Sequence, residues 1–192
     1  MGYRVKHLGI ARRQGDRVEM RVHPTLIPEE KQLANVDGVL NAVMIKGDAV
    51  GELVLVGPGA GGAATASAVC ADLADIARTA AGSGPALGVP IAQLKSQALV
   101  PAEDIESEWY VRLAASDCAG VMSDITQVLA NHDVSIESLL QNPPREDQTT
   151  VSIVLLTQVA SASVMTAVMQ EITALTAVET DFTLLRVEAF DQ

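Results

Sequence analysis

The stretch that most constrains the fold runs from Leu53 to Ile76. Leu53-Val-Leu-Val56 is an apolar run of strand length, Gly57, Gly59, Gly61 and Gly62 make a tight turn, and Ala66, Val69, Leu73, Ile76 and Ala77 recur at helical spacing. Together they predict strand, turn and helix. A helix that opens straight out of a glycine turn points its unpaired N–H groups and positive dipole end at whatever lies above the turn, which favours phosphate or carboxylate. Gly57, Gly59 and Gly62 also spell G-x-G-x-x-G, but a dinucleotide-binding unit needs a second parallel strand ending in an acidic residue. The segment beyond the helix, Ala81-Gly-Ser-Gly-Pro-Ala-Leu-Gly-Val-Pro90, is not that strand. On spacing alone, the glycines are explained equally well as letting a helix pack closely on a sheet.

Ahead of this stretch, Tyr3 to Ala11 and Arg17 to His23 alternate as strands about an Arg12–Asp16 turn, predicting a hairpin. Pro24 to Lys31, with two prolines, reads as an irregular crossing. Val39 to Ile45, a Lys46-Gly-Asp48 turn and Ala49 to Val56 predict a second hairpin that feeds the glycine turn. Four mainly antiparallel strands and one helix cannot cover both of their own faces. Residues 1–81 therefore read as the tail of a larger domain whose beginning is absent.

Prolines and glycines at 82–107 predict a linker. Beyond it, Trp109–Ala115, Val134–Leu140, Thr149–Leu156 and Asp181–Val187 have strand character. Val121, Ile125, Val128 and Leu129 mark one helix; Val164, Met165, Val168, Met169, Ile172 and Leu175 mark another. The order is βαββαβ, the ferredoxin-like pattern, in which the methionines are core filler. The expected class is thus α+β: a partial antiparallel sheet with a glycine-loop helix, then a ferredoxin-like βαββαβ domain over 108–192.

Charge supports the division. The 192 residues carry a formal charge of −11. From Pro101 onward 15 acidic residues face only Arg112, Arg145 and Arg186, so the first hundred residues are near neutral. An acidic chain is a poor partner for nucleic acid. No apolar run reaches membrane-spanning length and no signal-peptide core is present, which predicts a cytoplasmic protein with no membrane contact. Cys70 and Cys118 form neither a disulfide framework nor a metal-ligand spacing and read as buried or inert thiols; no metal site is expected.

In this order of elements, Asp117-Cys-Ala-Gly120-Val121 at the first strand-to-helix loop, with Val134-Ser-Ile-Glu137-Ser after the helix, resembles an ACT domain, a small amino-acid-binding module. Upstream, Gly9-Ile-Ala11, His23-Pro-Thr-Leu-Ile-Pro28, Leu33-Ala-Asn-Val36, Gly38-Val-Leu-Asn-Ala-Val43 and Gly57 through Val69 together resemble the latter half of homoserine dehydrogenase. The resemblance covers essentially the whole chain. It implies the end of a substrate domain at 1–81 and a regulatory ACT domain at 108–192. The nucleotide-binding domain, the catalytic lysines and the substrate-binding acidic residues of such an enzyme would lie upstream, so no catalytic residue is expected here.

The family enzyme moves hydride between NAD(P)H and aspartate semialdehyde to give homoserine. By that resemblance Gly57, Gly59, Gly61 and Thr65 are the expected cofactor contacts, and Asp117, Ala119, Gly120, Val121 and Met122 the expected effector site. Threonine, as an end product, is the implied effector, and a homo-oligomer the implied assembly. His23 and Asn41 are further candidates near substrate, and a structural His23 is the commoner case. Two positions depart from the family: Lys31-Gln32 where His-Pro is frequent, and Ala119 where proline is frequent. A lysine exchanges no proton near neutral pH unless its pKa is strongly lowered. A free-standing ACT sensor and a ligand-free dimerisation module are the alternatives.

Overall fold

The computed structural model describes residues 1–78, 93–142 and 150–190. The chain forms two compact units, Met1–Pro28 with Ala98–Gln192 and Glu29–Gln97.

The first unit is built on β6 (Glu106–Ser116), α2 (Val121–Asn131), β7 (Ile136–Asn142), β8 (Thr150–Ser161), α3 (Ala162–Ala174) and β9 (Val178–Val187), the expected βαββαβ order. Alternation on β6 sends Trp109, Val111, Leu113 and Ala115 into the core and leaves Tyr110 and Arg112 for the other face. Against the first set pack Val121, Ile125, Val128 and Leu129 of α2 and Met165, Val168, Met169 and Ile172 of α3. Each fully buried aliphatic chain contributes about 1.5–3 kcal/mol. The helix ends are set locally. The Ser161 hydroxyl accepts from the Val164 N–H at 3.3 Å to start α3. Gly120, at φ 99°, turns the chain into α2.

The amino-terminal hairpin, β1 (Tyr3–Gln14) and β2 (Arg17–Pro28), joins this same sheet, whose order is β1-β2-β9-β6-β8-β7. β2 lies parallel to β9 at Thr25–Arg186 and Leu26–Val187, and the Glu188 N–H donates to the Leu26 carbonyl at 2.9 Å. The compact units thus divide the chain elsewhere than at 81 and 108, because backbone pairing ties the hairpin to the last strand. Nor is Pro24–Pro28 an irregular crossing. It continues β2, with Pro24 paired to His7 just before the contact with β9 begins. Proline removes one ladder donor and is tolerated where no partner needs it. Of the expected linker, residues 82–92 lie outside the described residues; Ala98–Leu99 form β5, parallel to β2.

The second unit holds the hairpin of β3 (Leu40–Gly47) and β4 (Gly51–Pro58) and the helix α1 (Gly62–Arg78). Its strand, turn and helix follow the order that Leu53–Ile76 predicts. Val69, Leu73 and Ile76 are exposed and no residue of α1 is buried, so the expected apolar face is present but uncovered. The two cysteines are exposed as well, contrary to a buried reading: Cys70 is on α1 and Cys118 in the loop before α2. No helix of the described residues is long and apolar enough to cross a membrane.

Candidate functional site

In the second unit, β3–β4 register sets Asn41 opposite Gly57, and the Gly59 N–H donates to the Val39 carbonyl at 2.8 Å. This folds the glycine turn back over Asn41. A Cβ on Gly59 would stand 1.2 Å from Asn41 Nδ2, so any side chain here would force Asn41 to move. Gly57 and Gly61 differ: a Cβ on either would meet nothing within 4 Å, and Gly61 has φ +111°. The turn borders a shallow hollow of about 360 Å³ lined by Asn41, Gly57, Pro58, Gly59 and parts of β3 and β4. Thr65 is bound to the turn through its N–H and its Oγ1, which donate to the Gly61 carbonyl at 3.1 and 3.0 Å. Its proton is therefore committed to the first turn of α1.

No acidic residue occupies that first turn, and among the described residues no charged side chain lines the hollow. An uncharged hollow with open backbone at Gly57, from which the turn runs on through Gly61 into a helix N-terminus, fits close approach of a nucleotide phosphate or a nicotinamide amide. The donor set fits an organic cofactor and offers a metal nothing. Among the described residues no group of three His, Cys, Asp or Glu side chains could hold a metal ion.

In the first unit, Asp117, Cys118, Ala119 and Gly120 are exposed between β6 and α2, while Val121 is buried and Met122 half-buried. The Cys118 N–H donates to the Ser116 carbonyl at 2.9 Å, closing the bend. No side chain caps α2. Asp117 thus leaves the first N–H groups of the helix to other acceptors, and the space over Gly120 is open. The geometry can hold a carboxylate on backbone donors and an ammonium or hydroxyl on Asp117. His23 instead holds its own strand together: its Nδ1 lies 3.0 Å from Thr25 Oγ1 and 3.0 Å from the Pro24 carbonyl oxygen. Burial, above all, lowers its pKa below the ordinary value.

A buried ionic cluster was not legible as such in the sequence. Glu19 is 1% exposed and Glu188 5%. Arg21 Nη2 lies 2.7 Å from Glu188 Oε2, its Nη1 donates to Ser107 Oγ at 2.9 Å, and its Nε sits 2.8 Å from Glu19 Oε1. That last contact is an ion pair by distance without the alignment of a hydrogen bond. Arg12 also pairs with Glu188, and Arg186 donates to Ser107 Oγ and stacks over Trp109, 4.3 Å from the ring centroid. Desolvation first, then the neighbouring Arg21 charge, lowers Arg186 to about 10, which leaves it charged at neutral pH. The one signal in the sequence is the Glu19-x-Arg21 spacing, which puts both charges on one strand face.

Residues 1–74 match the family described as homoserine dehydrogenase, and residues 110–177 match the ACT domain. A homoserine dehydrogenase of Neisseria gonorrhoeae is 45% identical over 193 residues, which cover 98% of this chain and 44% of that protein. The chain belongs to the homoserine dehydrogenase family. The homoserine dehydrogenase of Pseudomonas aeruginosa is 44% identical over 82% of the chain and 37% of its own length. Among solved structures, a homoserine dehydrogenase from Thiobacillus denitrificans superposes with a TM-score of 0.86 at 43% identity, covering 98% of this chain and 43% of that one. The Staphylococcus aureus enzyme at pH 6.0 gives 0.57 at 25% identity, with 98% and 42% covered. The chain thus spans under half the length of these relatives and matches their ACT-bearing portion, in keeping with the α+β fold.

Proposed function

We propose that this chain is the ACT-bearing portion of an NAD(P)-dependent homoserine dehydrogenase that works in the cytoplasm and interconverts aspartate semialdehyde and homoserine, with threonine as feedback effector. The observation that carries the regulatory half is the uncapped start of α2 beside an exposed Asp117, with open space over Gly120. Threonine binds with its carboxylate on the N–H groups of Val121 and Met122 and its ammonium on Asp117, with Ala119 and Gly120 close to the ligand. In the other half, Gly57, Gly59 and Gly61 bring bare backbone to NAD(P), which when bound would give hydride in its reduced form and take it in its oxidised form, and Thr65 fixes the turn that presents them. The nucleotide-binding domain and the catalytic side chains belong to the rest of such an enzyme, and it covers the apolar faces of β3, β4 and α1. The 192 residues alone therefore reduce no NAD(P)+ with homoserine.

Calorimetric titration of the chain with threonine tests the regulatory claim. Saturable uptake that weakens at least about tenfold in Asp117→Ala, a loss on the scale of one charge-assisted hydrogen bond, supports it. No uptake at millimolar threonine removes it. Asp117 is exposed and caps nothing, so the variant keeps its fold. The ACT unit has its own complete core whereas the second unit has bare faces, which favours a stand-alone amino-acid sensor as the second reading. Homo-oligomerisation goes with either, through the edge strand β7 at the end of the sheet. Sedimentation that finds a monomer at micromolar concentration counts against it.

A further inference from the structure

The face of the six-strand path that turns away from α2 and α3 lines a half-open cavity of about 450 Å³, with the β1–β2 hairpin as one wall. That is within the range of small-molecule sites. Its floor is set by strand register: Arg112 stands opposite Val154 on one side and Thr183 on the other, Leu140 lies opposite Val154, and Tyr110 lies opposite Leu185. Val5 and Leu26, paired across the hairpin, form the wall. The whole cavity lies within the first unit.

Four polar side chains line this mainly apolar space: the Tyr3 and Tyr110 phenols, the Thr183 hydroxyl and the Arg112 guanidinium. Tyr110, Thr183 and Arg112 have no hydrogen-bond or ion-pair partner among the described residues. Arg112 also borders a smaller hollow that carries Glu179 and Asp181, yet it pairs with neither. Among the described residues it is the only charged side chain that lines the larger cavity, and no carboxylate lines it. A guanidinium beside two hydroxyls is a donor set for a carboxylate. An α-ammonium group would sit next to the cation with no acid to receive it, which disfavours a zwitterion.

We infer that this cavity is a second ligand site, separate from the loop before α2, and that it takes an apolar monocarboxylate: a branched-chain or aromatic acid without an amino group. The carboxylate lies on Arg112 with Thr183 and Tyr110, and the hydrocarbon body lies among Leu26, Leu140, Val154 and Leu185.

The test is calorimetric titration of the 192-residue chain with 4-methylpentanoate, with its primary amide and L-leucine as comparisons. The expected result is one saturable site for the acid and binding at least about tenfold weaker for both comparisons, the scale of one charge-assisted contact. Arg112→Met keeps the apolar stem and removes the charge at an exposed position, so it leaves melting unchanged and weakens the acid by about tenfold or more. Leu140→Trp fills the cavity from the edge strand and abolishes uptake. Asp117→Ala leaves the acid untouched, which separates this site from the threonine claim. The inference is overturned by no saturation below about 10 mM, by equal binding of acid and amide, or by unaltered binding in Arg112→Met.

Discussion

Arg21 and Glu188, 167 positions apart, meet with Nη2 2.7 Å from Oε2 where β2 runs beside β9. The contact joins the first hairpin to the last strand of the ACT unit, and it is buried on both sides. Removing one partner of such a pair leaves an uncompensated charge, whereas a matched apolar replacement of both can be neutral. Arg21→Met should therefore cost about 3–5 kcal/mol of unfolding free energy. Urea denaturation monitored by the fluorescence of Trp109, which sits under Arg186 in the same cluster, measures it. A loss under about 1 kcal/mol, as at a surface pair, would show the cluster is solvated.

His23 gives the stability a pH dependence of known sign. Its folded pKa is below the ordinary value of about 6.5, so below that pH the unfolded chain binds more protons. The contribution is present in full above the unfolded value and is lost as pH falls toward the folded one. Urea midpoints should drop between about pH 7 and pH 5, and less steeply in His23→Asn. Parallel profiles for the two proteins would remove His23 as the cause.

The glycine turn predicts two different costs. Gly59→Ala drives a methyl into Asn41, and the double variant with Asn41→Ala should recover much of the loss. Gly61→Ala meets open space but is strained at φ +111°, costing about 1–3 kcal/mol that Asn41→Ala does not restore. Local hydrogen exchange on β3 and β4 reads both, and rescue of Gly61→Ala by the Asn41 change would contradict the distinction.

Both cysteines should react with an aromatic disulfide reagent in the native chain, without denaturant, because both thiols are exposed. Fewer than two equivalents of released thiolate would place one of them under cover.

The βαββαβ half was legible because each of its elements buries one periodic face of its own. Val121, Ile125, Val128 and Leu129 recur at helical spacing, and Trp109, Val111 and Leu113 alternate, so local pattern and tertiary burial agree. The strand, turn and helix from Leu53 onward were legible from periodicity alone, although the faces they advertise stay bare. The loop Asp117–Gly120 stood out by its motif as a candidate site, but its open helix start depends on Asp117 not folding back as a cap, and only the folded backbone decides that.

In β2 the pattern points the wrong way. Val18, Met20 and Val22 alternate with Glu19 and Arg21, and hydropathy alone would bury the former; yet Met20 is 62% and Val22 71% exposed, while Glu19 is inside. Periodicity fixes which residues share a face but not which face turns inward when charged and polar partners wait at Glu188, Arg186 and Ser107. Those partners lie on β6, on β9 and just after β9, far along the chain. The elements, their order and the family were set by short-range pattern and motif. The docking of the hairpin on β9, and the half-open cavity that it helps to line, depend on long-range pairing of buried charge and backbone, which tertiary structure alone supplies.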